Sequence, residues 1–193
     1  NIGGYSVDSP LSEREKEIRY NIFSKSLNDL NDCTLVGPDS TGNLFIGENV
    51  GSKTLYDGTN SNPGGSNVVI GQGAFQENTT GRNNVGLGEG VLKVNTTGSS
   101  NVAIGDSVLE TNTTGSQNTA VGSFSLSSNT TGSYNTGVGF RSLYKNTTGI
   151  NNTAIGYVSL RENTTGNSNV AIGYQSLRKN TTGVNNTAIG YQS

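Results

Sequence analysis

The residues able to do chemistry are few, and their spacing excludes more than it permits. The chain has no histidine, so histidine-based triads and histidine metal sites are ruled out. Glu77, Glu89, Asp106, Glu110 and Glu162 share no common place in the sequence pattern and form no carboxylate pair, which argues against glycoside hydrolysis. Gly86-Leu87-Gly88-Glu89-Gly90 is glycine-rich but opens no helix that would cradle a phosphate. The glycine-aspartate signature of calcium-binding β-rolls is absent. The residues therefore predict no enzyme, no metal and no cofactor. Cys33 is the one cysteine, so an internal disulfide is impossible; it is either an idle thiol or an interchain bridge.

Two side-chain patterns survive this filter. One follows a recurrent glycine and changes along the chain: Gln72, Glu89, Asp106, Ser123, then Phe140, Tyr157, Tyr174 and Tyr191. Such a file can stack on the sugars of a surface polysaccharide, with Arg161, Arg178 and Lys179 nearby, or it can be an aromatic ladder packed within or between chains. The other is Asn-Thr-Thr, which starts at Asn78, Asn95, Asn112, Asn129, Asn146, Asn163 and Asn180 and matches the N-glycosylation sequon. Asn151 and Asn185 match it too. In a glycosylating host these would carry a line of sugars; otherwise they are plain turn residues.

What must position these residues is a repeat. An asparagine recurs every 17 residues, at Asn67, Asn84, Asn101, Asn118, Asn135, Asn152, Asn169 and Asn186, with a glycine four positions on and no insertion between. A strict short period signals a solenoid, in which each unit is one coil stacked on its neighbours. Apolar residues are only 30% of the chain, a level that would otherwise hint at disorder, but a disordered segment has no reason to place an aliphatic residue at a fixed period. The net charge of −2 provides no overall basic field for nucleic acid, and no apolar run is long enough to enter a membrane.

Within a unit the residue before glycine is always aliphatic: Ile70, Leu87, Ile104, Val121, Val138, Ile155, Ile172 and Ile189. Two positions earlier it is β-branched, and the residue between is nearly always alanine or glycine. This alternation predicts a short strand with its large residues inward and another backbone close on the small side. A second apolar file, Phe75 followed by Leu92, Leu109, Leu126, Leu143, Leu160 and Leu177, predicts a second short extended segment of the core. Asn-Thr-Thr-Gly then turns the chain, since asparagine and glycine tolerate left-handed conformations. The expected fold is all-β: a parallel β-solenoid whose eight units, at about 4.8 Å each, make a rod of roughly 35–40 Å. Two large inward side chains per coil are a thin core, which self-association of parallel columns would complete.

Three segments follow: residues 1–38, an arm and a helix; 39–66, a degenerate entry coil and a loop; and 67–193, the solenoid. Residues 10–30 carry helix-capping signals at Ser12 and Glu15, and Tyr20, Phe23, Leu27 and Leu30, widened by Ile18 and Ile22, form an apolar stripe. That stripe can lie on its own domain, surround an oligomer axis or meet a neighbouring protein. The chain starts at Asn1 rather than methionine and stops within a repeat, so a longer polypeptide is expected.

The units Asn101-Val102-Ala103-Ile104-Gly105-Asp106-Ser107 and Asn169-Val170-Ala171-Ile172-Gly173-Tyr174-Gln175-Ser176 resemble the head repeats of YadA-like trimeric autotransporter adhesins. They look still more like the Asn-Thr-Thr-Gly repeats in tail-fibre and spike proteins of phages and large viruses. The resemblance covers residues 67–193, about two thirds of the chain. It implies a left-handed parallel β-roll, a homotrimer, attachment to a host cell and a virion location. Residues 1–38 would then dock on a virion or baseplate protein, and a host glycan or receptor would be met through residues beyond 193. The adhesin heads have a shorter period than 17 residues, and the additional residues fall in the Asn-Thr-Thr-Gly turn. The principal expectation is the shaft of a trimeric tail fibre. The alternatives are a bacterial surface adhesin, an ice-binding solenoid using its paired threonines, and a carbohydrate-cleaving spike.

Overall fold

The computed structural model describes residues 35–36, 42–51 and 64–193. The expected helix over 10–30, its stripe (Ile18, Tyr20, Ile22, Phe23, Leu27, Leu30) and Cys33 lie outside the described residues. The described residues form an all-β parallel β-solenoid with 17-residue coils. Among the described residues ten strands form one sheet in chain order: β1 (Leu35–Val36), β2 (Leu44–Ile46), β3 (Val68–Ile70), β4 (Val85–Leu87), β5 (Val102–Ile104), β6 (Thr119–Val121), β7 (Thr136–Val138), β8 (Thr153–Ile155), β9 (Val170–Ile172) and β10 (Thr187–Ile189).

Each regular strand pairs in parallel with its successor, so Val102 faces Thr119 and Ile104 faces Val121. The entry coil is part of the stack, since β2 pairs in parallel with β3, Leu44 opposite Val68. Before it, β1 runs antiparallel to β2 with Leu35 opposite Ile46.

Strands of three residues hold because hydrogen bonding continues around the coil. Val85 N donates to the Asn101 carbonyl at 2.8 Å, Leu92 N to Val108 at 3.0 Å and Thr96 N to Thr113 at 2.9 Å, each one coil onward. Backbone groups in the turns are thus paired coil to coil much as those in the strands are.

The strand phase is the reverse of the expected one. The small central residues Ala103, Ala120, Ala154 and Ala171 are buried, with Val69. Ile70, Leu87, Ile104, Val121, Val138, Ile155, Ile172 and Ile189 point to the outer face; Ile70 is 37% exposed and Leu87 47%. The cause is the narrowness of the coil. A methyl added at Gly86 would lie 3.0 Å from Val91 Cγ2 and 3.2 Å from Val69 Cγ1, so with Val69 already inward one coil earlier there is no room for a second branched side chain. Period-two alternation is compatible with either phase, and from β4 onward the larger residues do not take the inner one.

The interior is filled from the other wall. Phe75, Leu92, Leu109, Leu126, Leu143 and Leu160 are fully buried and Leu177 packs against them partly buried. Their segment is not a second strand: Leu92, Leu109, Leu126, Leu143, Leu160 and Leu177 have φ between 46° and 51°, the left-handed region. Serine lines the later coils beside them, with the hydroxyls of Ser142 and Ser159 donating to the Ala154 and Ala171 carbonyls at 2.8 and 2.9 Å.

Asn-Thr-Thr-Gly turns the chain for a different reason from the expected one. Neither its asparagine nor its glycine is among the left-handed residues. The asparagines are buried instead and stack into a ladder. Asn112 Nδ2 donates to Asn95 Oδ1 at 2.7 Å and to the Gly115 carbonyl at 2.9 Å, and the pattern repeats at each coil. A second ladder runs through the strand-opening asparagines, where Asn118 Nδ2 meets Asn101 Oδ1 at 3.1 Å and the Gly132 carbonyl at 2.9 Å. Stacked amides of this kind satisfy both of their hydrogen-bonding ends without water.

Candidate functional site

The glycine after each strand bends the chain out of the sheet. Gly139 has φ 128°, and a Cβ there would lie 2.7 Å from the Gly156 carbonyl carbon, so only glycine passes. The residue that follows is thrown outward, at the same place in every coil. Phe140, Tyr157, Tyr174 and Tyr191 therefore stack as a column. Their centroids are 5.5, 5.2 and 5.0 Å apart, with interplanar angles of 19°, 8° and 7°. Each inner ring has both faces covered by its neighbours. The column offers edges and phenol hydroxyls to solvent, not ring faces for a sugar to stack on, except at the exposed Tyr191.

The column begins at a cluster that sequence reasoning missed. Arg141 sits over three rings, 5.5 Å from the centroid of Phe124, 5.1 Å from Phe140 and 5.4 Å from Tyr144. Phe124 meets Phe140 edge-on at 6.3 Å. Arg141 Nε is buried with no hydrogen-bond partner. The available signal was that Phe124, Arg141 and Tyr144 occupy coil places where earlier coils carry glycine or other polar residues.

Arg161 is not directed at the aromatic column. Its guanidinium lies 5.9 Å from the Tyr144 ring and pairs with Glu162 at 2.9 Å, and Glu162 also binds Lys145. The hydrogen bond from Lys145 holds the Glu162 carboxyl below the usual carboxylate range; partial burial opposes this, and the charges of Lys145, Arg161 and Arg178 add to it. Arg178 and Lys179 border a hollow over the last coil with Leu177, Asn180 and Asn186. Among the described residues no three His, Cys, Asp or Glu side chains converge as metal ligands.

On the earlier coils the same face carries a shallow groove, bordered by Gln72, Gln76, Glu89, Lys93 and Glu110 and floored at Gly73 and Gly90. The threonine pairs offer fewer free hydroxyls than their number implies. Thr96, Thr113, Thr130 and Thr147 each donate from Oγ1 to the carbonyl of the threonine one coil on, at 2.9 to 3.1 Å.

The opposite wall is the outer face of the sheet. Two columns run along it, one of valine and threonine, the other of isoleucine, leucine and valine, with no charged residue in either. Val68, Val85, Ile155 and Ile189 are among the exposed large apolar residues.

No known protein family matches the chain, and neither a curated protein nor a solved structure matches it. The fold and site define a class, the parallel β-solenoid with stacked asparagine and aromatic columns.

Proposed function

We propose that the chain is the shaft of a homotrimeric attachment fibre of a phage or virus, non-catalytic, with residues 1–38 serving as the virion-docking end. One observation carries this reading: the charge-free outer face of the parallel sheet, with an unbroken aliphatic column from Ile70 to Ile189 beside one of valine and threonine. Contiguous exposed apolar surface on this scale marks an interaction site in a soluble protein. It is regular and built mostly from β-branched residues in register, so an identical column matches it rung for rung. Burying it against two sister columns would supply the core that Ala103, Ala120 and their equivalents leave thin. The resemblance of the repeat to tail-fibre and YadA-like repeats supports three as the number of columns.

Sedimentation equilibrium of the full chain at micromolar concentration is the test. A trimer is expected. Val121→Lys combined with Val138→Lys on the outer face should dissociate it while leaving the β-sheet circular dichroism in place. A wild-type monomer would overturn the proposal.

A further inference from the structure

Charge is sorted along the rod. Among the described residues Glu48, Glu77, Glu89, Asp106 and Glu110 all precede residue 111, with Arg82 and Lys93 as the cations there. Arg141, Lys145, Arg161, Arg178 and Lys179 all follow residue 140, with Glu162 as the one carboxylate, and residues 111–140 carry no charge. All but Arg82 lie on the turn face, the wall formed by residues 72–77 and their equivalents opposite the outer face of the sheet: Glu89, Lys93 and Glu110 border its groove, and the later cations occupy the equivalent or adjoining coil places.

We propose that the later half of this face, from Arg141 to Lys179, binds an acidic polysaccharide bearing carboxylate or sulfate groups. This deepens the attachment reading and rests on it, because sister columns would cover the sheet face and leave the turn face outward. Three features carry the proposal. Cations outnumber carboxylates here: Glu162 is shared by Lys145 and Arg161, and no described carboxylate forms an ion pair with Arg141, Arg178 or Lys179. Arg161 and Arg178 occupy the same place in successive coils, about 4.8 Å apart along the stack, and the one carboxylate beside them, Glu162, is shared with Lys145, so positive charge remains in excess there. Arg141 is held over three rings, so its charge is presented in a fixed position at little further entropic cost.

The aromatic column decides between polyanions. Nucleic acid bound as single strands needs ring faces for its bases, and the faces of Tyr157 and Tyr174 are taken by one another. Phenol hydroxyls and ring edges beside a row of cations instead suit a hydroxyl-rich, acidic sugar chain. The acidic half of a second rod is the competing occupant, since its charges are complementary too.

The full chain is passed over immobilised polygalacturonate, heparin, neutral dextran and oligodeoxythymidylate at low and high salt. Retention on polygalacturonate (carboxylate) or heparin (sulfate), lost at high salt and absent on dextran, is expected. Arg178→Ser with Lys179→Ser should weaken it about tenfold or more, while Arg82→Ser with Lys93→Ser leaves it unchanged. Equal retention on dextran, tighter binding of the oligonucleotide, or an equal loss in both double variants would overturn the proposal. So would salt-sensitive assembly beyond the trimer without polysaccharide. Sedimentation of the same samples separates the two readings: a trimer that ignores both acidic polymers removes this inference alone, and a monomer that binds them removes the trimeric shaft alone.

Discussion

Asn129 Nδ2 lies 2.8 Å from Asn112 Oδ1, one coil earlier, and the same nitrogen donates to the Gly132 carbonyl at 2.9 Å. Its own Oδ1 accepts from Asn146 Nδ2 at 2.8 Å, and all three asparagines are fully buried. Removing one amide therefore strands two groups, the oxygen of Asn112 and a proton of Asn146. Asn129→Ala should cost about 2–6 kcal/mol, since each buried unsatisfied group costs about 1–3 kcal/mol. Thr131→Ala, one exposed side chain away, should fall within about 0.5 kcal/mol of wild type. Urea unfolding gives the comparison. Hydrogen exchange should localise the loss to the coils beside residue 129, because a solenoid sums nearest-neighbour terms.

The same ladder bears on the sequons. Asn78, Asn95, Asn112, Asn129, Asn146 and Asn163 are buried, with Nδ2 committed to the amide ladder or the adjacent glycine carbonyl, whereas Asn151 and Asn185 are exposed. A sugar on Nδ2 of a ladder asparagine would displace its hydrogen bonds and a neighbouring coil. Expressed through a glycosylating secretory pathway, folded protein should carry sugar at Asn151 or Asn185 only, and chains modified in the ladder should be recovered unfolded. Peptide mass mapping reads this directly. A glycan mapped to Asn112 in protein with native circular dichroism would refute it.

Glu162 sets a modest pH dependence. Its carboxyl is held below its ordinary value by Lys145, so its contribution is complete above the unfolded carboxylate pKa and is lost as pH falls through the lowered folded value. The pair is partly exposed, so Glu162→Gln should cost no more than about 1 kcal/mol at neutral pH. The difference from wild type should shrink as the pH drops below about 4. A gap that persists unchanged at low pH would assign the effect to packing.

Backbone conformation offers a stabilising route. Gln117 and Tyr134 are exposed at φ 58° and 60°, a region that costs a residue with a Cβ about 1–2 kcal/mol and that asparagine tolerates better. Gln117→Asn and Tyr134→Asn should each raise stability by up to about 1 kcal/mol, seen as a higher denaturation midpoint. Gly139→Ala runs the other way. With φ 128° and the Gly156 carbonyl in the path of a methyl, it should cost about 3 kcal/mol or more.

Much of the coil was readable from residues 67–193 without coordinates. The 17-residue spacing of Asn101, Asn118 and Asn135 specified the stack and its in-register parallel pairing, because identical units have one way to repeat their hydrogen bonds. The buried file from Leu92 to Leu177 was readable as well, since no other large apolar residue recurs on that stretch. The alignment of Phe140, Tyr157, Tyr174 and Tyr191 followed from the same period, and two arrangements for it stayed open.

Tertiary structure decided the rest. Which face of Val102-Ala103-Ile104 turns inward depends on how far apart the coil walls stand, and that distance is set by Leu109 and Val108 on the opposite wall. No local pattern contains it. The role of the Asn-Thr-Thr-Gly asparagine changed for the same reason. Besides the local Gly132 carbonyl, its amide has partners 17 residues away, in the coil above and the coil below. Sequence alone determined that the chain stacks, because period is a one-dimensional property. What each side chain faces once stacked is a matter of distances between segments remote in sequence, and those exist only in the folded coil.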